Sequence, residues 1–177
     1  MKVICISGKM GSGKDTVALM MKEQLERKGE RVCITHFADL LKYICKQYWG
    51  WDGNKDETGR NLLQTVGTDI IRRDNPDYWV NFVISILPYI SGMYDYVVIP
   101  DCRFPNEFMK LRDKGYPTAI INIVRPHNEN QWSKESRTHI SETAMDGIRV
   151  DYEILNDGSK EDLYRKVETY HSLRNKS

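Results

Sequence analysis

Gly8-Lys9-Met10-Gly11-Ser12-Gly13-Lys14-Asp15-Thr16 is the stretch of this chain that predicts both a fold and a ligand. It follows the apolar run Val3–Ile6, precedes a segment of helical character, and has the spacing of a phosphate-binding loop. Glycines let the backbone curl so that successive N–H groups point inward, and the positive end of the following helix adds to them. Lys14 supplies a charge for the β- and γ-phosphates. The segment therefore predicts a nucleoside triphosphate site between a strand and a helix.

The residue after Lys14 departs from the usual template. That position normally holds Ser or Thr, whose hydroxyl ligates Mg²⁺, but here it is Asp15, followed by Thr16. A carboxylate is itself a good oxygen ligand for magnesium, so Asp15 is a direct metal ligand in one interpretation. In the other, Asp15 holds the metal through water and Thr16 contacts a phosphate. The sequence leaves both open.

Length and composition restrict the class of protein. A chain of 177 residues is long enough for a single domain around one core. Its net charge of +1 argues against a dedicated nucleic-acid binder, which is usually clearly basic. We see no apolar run of membrane-spanning length and no signal peptide. The cysteines have no metal-type spacing, so we expect a reducing, cytoplasmic setting.

Hydrophobic patterning predicts strands and helices in alternation, which indicates a parallel sheet covered on both faces. The predicted strands are Lys2–Ser7, Arg31–Phe37, Tyr96–Pro100, Thr118–Val124 and Tyr152–Leu155. The predicted helices are Gly13–Lys28, Ala38–Trp49, Arg60–Arg73, Asp77–Ile90 with Asn75 as N-cap and Pro76 in its first turn, Phe104–Lys114, and one from Ser159. Between them, the polar stretch Gly50–Gly59 is expected to be a loop or a short mobile segment.

Polar residues follow four of the predicted strands and should meet in one cleft, because ligands of such sheets bind beyond the carboxyl ends of the strands. They are the phosphate loop, His36–Asp39, Pro100–Arg103 and Arg125-Pro126. Asp101 is placed like the acidic residue that holds magnesium beside a phosphate loop. The alternative is that it caps the helix that follows.

Other basic and aromatic side chains also have two interpretations each. Arg103 either clamps a phosphate with paired hydrogen bonds or forms a surface pair with Glu107. Lys42 and the arginines that bracket one predicted helix either contact phosphates or are solvated; these arginines are Arg60, Arg72 and Arg73. Trp79 and Phe37 either sandwich a base or belong to the core.

The polar segment Arg125–Ile140 is a candidate lid. Its basic side chains are Arg125, His127, Lys134, Arg137 and His139. Such a stretch is either a solvated loop or a lid that closes over bound phosphates and excludes water.

Together these residues resemble the deoxynucleoside monophosphate kinases of the phage type. The matches begin with the Gly-Lys-Asp-Thr variant of the phosphate loop and extend along most of the chain. They continue with Leu63-Gln64, Gly67-Thr68-Asp69-Ile70-Ile71, Tyr78-Trp79-Val80, Tyr94-Asp95-Tyr96, Ile99-Pro100-Asp101, Arg103, Val124-Arg125-Pro126, Thr138-His139-Ile140-Ser141-Glu142 and Asn156-Asp157-Gly158-Ser159. The stretch Gly50–Gly59 matches poorly and looks short for the family.

The resemblance implies an α/β fold of the P-loop nucleoside monophosphate kinase type, with a five-stranded parallel sheet flanked by helices. It implies one kinase domain over 1–177, a lid at about 125–140 and a mobile acceptor-side segment at about 50–60. The implied activity is transfer of the ATP γ-phosphoryl group to a deoxynucleoside monophosphate, with Mg²⁺, and with neither nucleic acid nor membrane as partner. A homodimer is compatible with it.

The resemblance also implies a role for particular residues. The ATP site would comprise Gly11, Ser12, Gly13, Lys14, Asp15, Thr16, Asn156 and Gly158, and the monophosphate site Lys42, Gly67, Thr68, Arg73, Trp79, Asp101, Arg103 and Glu107. The transferred group would lie among Lys14, Arg103, Arg125 and Arg137, with Asp15 and Asp101 toward the metal.

Two other functions remain open at this point. Dephospho-coenzyme A kinase and phosphomevalonate kinase share the fold and the phosphate loop, but would need a pocket fitted to another acceptor. Outside enzymes, the chain is compatible with a nucleotide-dependent switch, although a switch needs no second small-molecule site.

Overall fold

The computed structural model describes residues 1–126 and 133–174, and their strands form one parallel sheet. The strands are β1 (Lys2–Ser7), β2 (Val32–Ile34), β3 (Tyr96–Ile99), β4 (Thr118–Val124) and β5 (Tyr152–Leu155). Their order across the sheet is β2-β3-β1-β4-β5, and each neighbouring pair is parallel. The predicted α/β class with a five-stranded parallel sheet is therefore confirmed.

Helices cover both faces of the sheet. They are α1 (Lys14–Glu26), α2 (Asp39–Tyr48), α3 (Glu57–Gln64), a π-helix (Thr65–Arg72), α4 (Tyr78–Ile90), α5 (Pro105–Asp113), α6 (Lys134–Thr138), α7 (Ile140–Thr143) and α8 (Lys160–Arg174). The helices α1 and α8 pack on one face, and α2, α4 and α5 pack on the other. Within the described ranges, no helix is both long enough and apolar enough to cross a bilayer.

The central strand β1 shows why its sequence is apolar throughout. Val3 and Cys5 point into the core beneath α2, α4 and α5, whereas Ile4 and Ile6 point into the core beneath α1 and α8. All four side chains are fully buried. Successive residues of a strand face opposite sides of the sheet, so a strand covered on both sides needs apolar residues at every position.

The stretch predicted as a loop, Gly50–Gly59, is more ordered than expected. Trp51 is buried, and its Nε1 donates a hydrogen bond to the main-chain oxygen of Asn54 at 2.8 Å. Asp56 caps α3 by accepting from Gly59 N at 2.8 Å, so the helix already begins at Glu57. The expected loop therefore ends three residues early, in the first turn of a helix.

The single helix predicted over Arg60–Arg73 is two elements, because α3 passes into a π-helix at Thr65. The predicted start of α4 is also wrong: α4 begins at Tyr78, with Asp77 rather than Asn75 as N-cap. The main-chain oxygen of Pro76 accepts hydrogen bonds from Arg72 Nη1 at 2.8 Å and Asn106 Nδ2 at 3.1 Å. Those side-chain bonds hold Pro76 outside the helix that it was expected to start.

Candidate active site

The carboxyl ends of the strands surround a cavity of about 530 Å³. The four segments expected to converge there all contribute to its wall: the phosphate loop, 36–38, 100–103 and Arg125. Predicted site residues that line it are Gly11, Gly13, Lys14, Asp15, Thr16, Lys42, Gly67, Thr68, Trp79, Asp101, Arg103, Glu107 and Arg125. The fold thus brings most of the predicted site into one cleft.

The phosphate loop depends on glycines that no other residue would replace without strain. Gly8, Gly11 and Gly13 have φ values of 140°, 76° and 101°, in the range that side chains avoid. A Cβ on Gly8 would lie 2.5 Å from the main-chain oxygen of Ile123, and one on Gly13 would lie 2.7 Å from Asn156 Nδ2. Gly13 is also the N-cap of α1 and has no side chain to satisfy the N–H groups of the first turn. Those N–H groups form a site for an anion.

Lys14 folds back over this loop. Its Nζ donates to the main-chain oxygens of Gly8 at 2.7 Å and Lys9 at 3.0 Å. Burial, together with the positive charge of Arg103, lowers the pKa of Lys14 to about 7. A bound phosphate would reverse this effect, because a nearby anion favours the charged amine.

His36 lies between two carboxylates at the mouth of the cleft. Its ring nitrogens are 3.4 Å from Asp15 Oδ1 and 3.3 Å from Asp39 Oδ2. Burial alone would lower the pKa of His36, but the hydrogen bonds with Asp15 and Asp39 raise it to about 9. The hydrogen bond from His36 in turn lowers the pKa of Asp15. Sequence reasoning placed His36 at the cleft but gave it no role, because a contact between β2 and the loop has no local signature.

Asp101 does not cap α5. Its Oδ1 accepts from Phe37 N at 2.9 Å and its Oδ2 accepts from Ala38 N at 3.0 Å, so the carboxylate holds the turn between β2 and α2. A carboxylate has about four lone-pair sites, so two main-chain hydrogen bonds leave acceptor capacity on the cleft side. The alternative of a helix cap is therefore wrong.

Arg103 and Glu107 do not form the surface pair that their spacing allows. The Arg103 side chain pairs with Glu142, and its Nη1 also donates to the main-chain oxygen of Ser141 at 3.3 Å. Glu107 Oε2 accepts from the main-chain N of Arg103 at 2.7 Å and of Phe104 at 3.0 Å. The carboxylate of Glu107 thus fixes the backbone at the start of α5 and leaves the Arg103 side chain to the cleft.

Glu107 has a different arginine partner, Arg72. Arg72 Nη2 lies 2.5 Å from Glu107 Oε1, and the two side chains are 9% and 2% exposed. The Arg72 guanidinium also lies 3.9 Å from the centre of the Phe104 ring. Burial raises the pKa of Glu107 to about 7, while the charge of Arg72 acts in the opposite direction.

The prediction that Arg73 belongs to the acceptor site is wrong. Its Nε bonds Asp74 Oδ1 at 3.0 Å, and both side chains are 70% exposed. Arg72 lines the cleft and Arg73 does not. Adjacent residues of a helix point in different directions, and Arg72, the last residue of the π-helix, is the one that points into the cleft.

Trp79 forms a buried part of the cleft wall. Its Nε1 donates to the main-chain oxygen of Gly67 at 2.9 Å, which ties α4 to the π-helix. Gly67 in turn packs against Leu41, since a Cβ at Gly67 would lie 2.5 Å from Leu41 Cδ2. A side chain at residue 67 would therefore have to displace the Leu41 side chain, so glycine serves close approach here and not an unusual φ angle.

The remaining predicted residues lie outside this cavity. Asn156 Nδ2 donates to the main-chain oxygen of Ser12 at 2.8 Å, and Gly158 precedes α8 near Asp162. Ser12 borders a second cavity of about 570 Å³ behind the loop. Its buried Oγ has no hydrogen-bond partner among the described residues.

The candidate lid is described only in part. Its centre, 127–132, which includes His127, lies outside the described residues. Arg137 is exposed on α6, and the neighbouring Ser136 is buried against α3, where its Oγ lies 2.9 Å from Asn61 Oδ1. His139 Nε2 lies 3.3 Å from Asp69 Oδ1 on the π-helix. The second half of the segment thus contacts the acceptor side of the cleft.

A preformed metal centre is not found in the described ranges, where no group of three or more His, Cys, Asp or Glu side chains is close enough to hold an ion. The cleft nevertheless offers hard oxygen donors, because the carboxylates of Asp15 and Asp101 and the residue Thr16 all line it. Carboxylate and hydroxyl oxygens suit Mg²⁺, which keeps several waters when it binds beside phosphates. The donor set fits that ion.

Comparison with known sequences gives one family and several relatives. The family model for deoxynucleotide monophosphate kinase matches residues 31–167. The deoxynucleotide monophosphate kinase of Enterobacteria phage T4 is 36% identical over 110 residues, which are 61% of this chain and 43% of that protein. The enzyme of the same name from Escherichia phage RB69 is 34% identical over 111 residues, or 62% and 43%. The chain therefore spans less than half the length of these phage relatives. An uncharacterised protein of Ictalurid herpesvirus 1 (strain Auburn) is 30% identical over 169 residues, or 94% of this chain and 69% of that protein.

Solved structures resemble this one in fold. The APS kinase of Mycobacterium tuberculosis in complex with AMPPNP and APS has a TM-score of 0.53 at 14% identity, over 97% of both chains. Shikimate kinase from Aquifex aeolicus has a TM-score of 0.52 at 14% identity, over 98% of this chain and 97% of that one. A sugar kinase from Janibacter has a TM-score of 0.54 at 11% identity, over 97% and 95%. At such identities the likeness concerns the fold alone.

Proposed function

The chain belongs to the deoxynucleotide monophosphate kinase family, and we propose that it transfers the γ-phosphoryl group of ATP to a deoxynucleoside monophosphate. A phosphate oxygen of the acceptor bonds to the γ-phosphorus, the bond from that phosphorus to the β-bridging oxygen breaks, and ADP leaves. The observation that carries the proposal is a single cavity with a phosphate loop on one side and Arg103, Arg72 and Trp79 on the other.

The donor would bind to the main chain of the phosphate loop. The N–H groups of the first turn of α1 and Lys14 would hold the β- and γ-phosphates. Gly11, Ser12, Asp15 and Thr16 would complete the loop, and Asn156 with Gly158 would border the adenine.

The acceptor would bind between α2, the π-helix and the start of α5. Lys42 and Arg103 would contact its phosphate, and the wall formed by Gly67, Thr68 and Trp79 would enclose the base. Glu107 and Asp101 would act on this site through the backbone segments they hold. The buried aromatic wall favours a nucleobase over pantetheine or an isoprenoid acid as the group to be recognised.

Phosphoryl transfer of this kind needs positioning and charge more than covalent chemistry. Lys14, Arg103 and Arg125 line the cleft and would surround the transferred group, with Arg137 joining them if α6 moves inward. Bound Mg²⁺ would neutralise charge on the phosphates, and Asp15 and Asp101 would hold it directly or through water. The segment at about 125–140 would act as the lid that excludes water.

The cytoplasmic setting and the homodimer both stay predictions from the sequence.

An ADP-release assay across a panel of acceptors tests the proposal. The panel holds the ribo- and deoxynucleoside monophosphates, dephospho-coenzyme A and phosphomevalonate, and Lys14→Ala is purified in parallel to detect contaminating kinases. We expect turnover with at least one deoxynucleoside monophosphate and none in the variant. Turnover with only one of the last two acceptors would instead identify a different small-molecule kinase. ATP binding without turnover on any acceptor would favour a nucleotide-dependent switch.

A further inference from the structure

We propose that Glu142 is a positioning residue, which orients the Arg103 guanidinium relative to the phosphate loop. The inference rests on the proposed function and deepens it. Glu142 lies on α7, between the lid segment and β5. It falls within one of the motifs that resemble the kinase family, but nothing in the sequence indicates its role.

Each oxygen of the Glu142 carboxylate serves a different part of the cleft. Oε1 pairs with Nη1 of Arg103, which lies between β3 and α5, and Oε2 accepts from the main-chain N of Met10, in the phosphate loop, at 2.9 Å. The Glu142 side chain is 3% exposed. One buried carboxylate therefore connects the donor loop to the arginine expected on the acceptor side.

The carboxylate is itself held in place. Lys9, also in the phosphate loop, donates from Nζ to the main-chain oxygen of Glu142 at 2.8 Å and pairs with Asp146 at 2.5 Å. His139 caps α7 by accepting from Ser141 N at 3.2 Å. Because its backbone is bound as well as its side chain, Glu142 gives Arg103 a fixed partner and not a mobile one.

The contact with Glu142 orients Arg103 so that it can bind a phosphate. Its side-chain hydrogen bonds with the described residues all use Nη1, toward Glu142 and Ser141. The edge formed by Nε and Nη2 is left to other groups, and that edge has the geometry for two parallel hydrogen bonds to a phosphate. Without the charge of Glu142, the guanidinium would rotate more freely and this edge would no longer be directed.

A buried ion pair can also be purely structural, so the test must separate the two roles. Glu142→Gln keeps the volume and an oxygen for Met10 N–H but removes the charge that faces Arg103. Glu26→Gln makes the same chemical change in an exposed pair with Lys22 on α1 and is the control. We expect kcat/KM for the acceptor to fall about tenfold in Glu142→Gln and to stay within about twofold in Glu26→Gln.

A double-mutant cycle with Arg103→Lys shows whether Glu142 acts through Arg103. We expect the tenfold effect of Glu142→Gln to shrink below about threefold when residue 103 is lysine. Glu142→Asp, which keeps the charge on a shorter side chain, should recover part of the lost turnover. Loss of packing alone would not give that recovery. Unchanged kinetics in Glu142→Gln, or an equal effect in both backgrounds, would overturn the proposal.

A binding readout keeps this inference separate from the proposed reaction. Inorganic phosphate, which stands in for the acceptor phosphate, is titrated by calorimetry into the ADP complexes of wild type, Glu142→Gln, Arg103→Lys and the double variant. We expect weaker binding, by about fivefold, in Glu142→Gln and no further weakening when it is added to Arg103→Lys. Equal affinity in all four proteins would reject the role of Glu142. If the four affinities show the expected coupling but the protein turns over no acceptor, the role of Glu142 is supported and only the proposed reaction is rejected.

Discussion

On the donor side of the cleft, nine consecutive residues make the site from their own main chain, whereas the acceptor side is assembled from side chains far apart in sequence. Arg72 and Glu107 are 35 positions apart, and Arg103 and Glu142 are 39 apart. The loop takes its path from its glycines and the start of α1, although Glu142 and Asn156 also bond its main chain. The donor side is therefore mainly a local property of the sequence, and the acceptor side is a property of tertiary packing.

This difference predicts how the two sides respond to substitution. A substitution on the donor side should abolish catalysis but leave the stability of the fold nearly unchanged, because the phosphate loop contributes little to the core. An acceptor-side change should affect stability as well, since the same side chains line the cleft and hold helices together.

The largest effect is expected at Lys14. Lys14→Ala should lower turnover on the order of 10²- to 10³-fold by removing a charge from the transferred phosphate. The midpoint of unfolding should change little, because Lys14 Nζ bonds only loop carbonyls among its described contacts. Lys22→Ala, on the same helix but in an exposed pair with Glu26, is the control. Wild-type turnover in folded Lys14→Ala would contradict the assignment of the loop.

The next effect concerns stability on the acceptor side. Arg72→Ala should reduce the free energy of unfolding by about 3 kcal/mol, because it leaves the buried carboxylate of Glu107 without its partner. Arg73→Ala removes a neighbouring arginine from an exposed pair and should cost less than about 1 kcal/mol. Urea denaturation of both variants measures the difference. Equal losses would mean that the buried pair adds nothing beyond a surface pair.

A smaller and more selective effect is expected for Arg103, the arginine proposed to bind the acceptor phosphate. Arg103→Lys should raise the KM for the acceptor about tenfold and that for ATP much less, because lysine cannot make paired hydrogen bonds to a phosphate. Arg73→Lys is the matched control and also tests the residue first assigned to this site. Equal, small changes in both Michaelis constants of Arg103→Lys would remove Arg103 from the acceptor site.

The smallest effect is a dependence of stability on pH. The pKa of His36 is raised from 6.5 to about 9 in the folded protein, so its protonated form stabilises the fold below pH 6.5. That contribution should disappear as the pH rises through 9. Its partner Asp15 is 72% exposed, so screening should limit the effect to about 1 kcal/mol. Urea denaturation at pH 6 and 9.5, in buffer with EDTA, should show it in wild type but not in His36→Gln. The same pH difference in both proteins would exclude His36 as its source.

The same division explains what sequence reasoning could and could not supply. The bounds of β4 and β5 and the phosphate loop follow from local patterns, because an apolar run or a glycine spacing has a meaning of its own. The choice of Arg72 over Arg73 depends on the phase of the helix, and the same apolar residues fit an α-helix and a π-helix. Glu107 and Glu142 find their partners only in the folded chain, so no spacing indicates them.

Trp51 shows a related limit. Glycines and charges around it predict a loop or a short mobile segment, but its indole is buried and bonds the main chain of the same segment. A single aromatic residue without a periodic pattern gives no signal in the sequence. Its burial depends on the surface that α2 and α3 present to it.

The π-helix over Thr65–Arg72 has a consequence for aligning this chain with its relatives. Its hydrogen bonds run from residue i to i+5, so it accommodates a residue that an α-helix of the same path would not. A relative lacking one residue here would form an α-helix along the same path, and the side chains after the gap would keep their directions. Its arginine at the place of Arg72 would then still face its counterpart of Glu107. A one-residue gap at this place in an alignment would therefore be compatible with an unchanged acceptor site, provided that the gap is placed before Arg72.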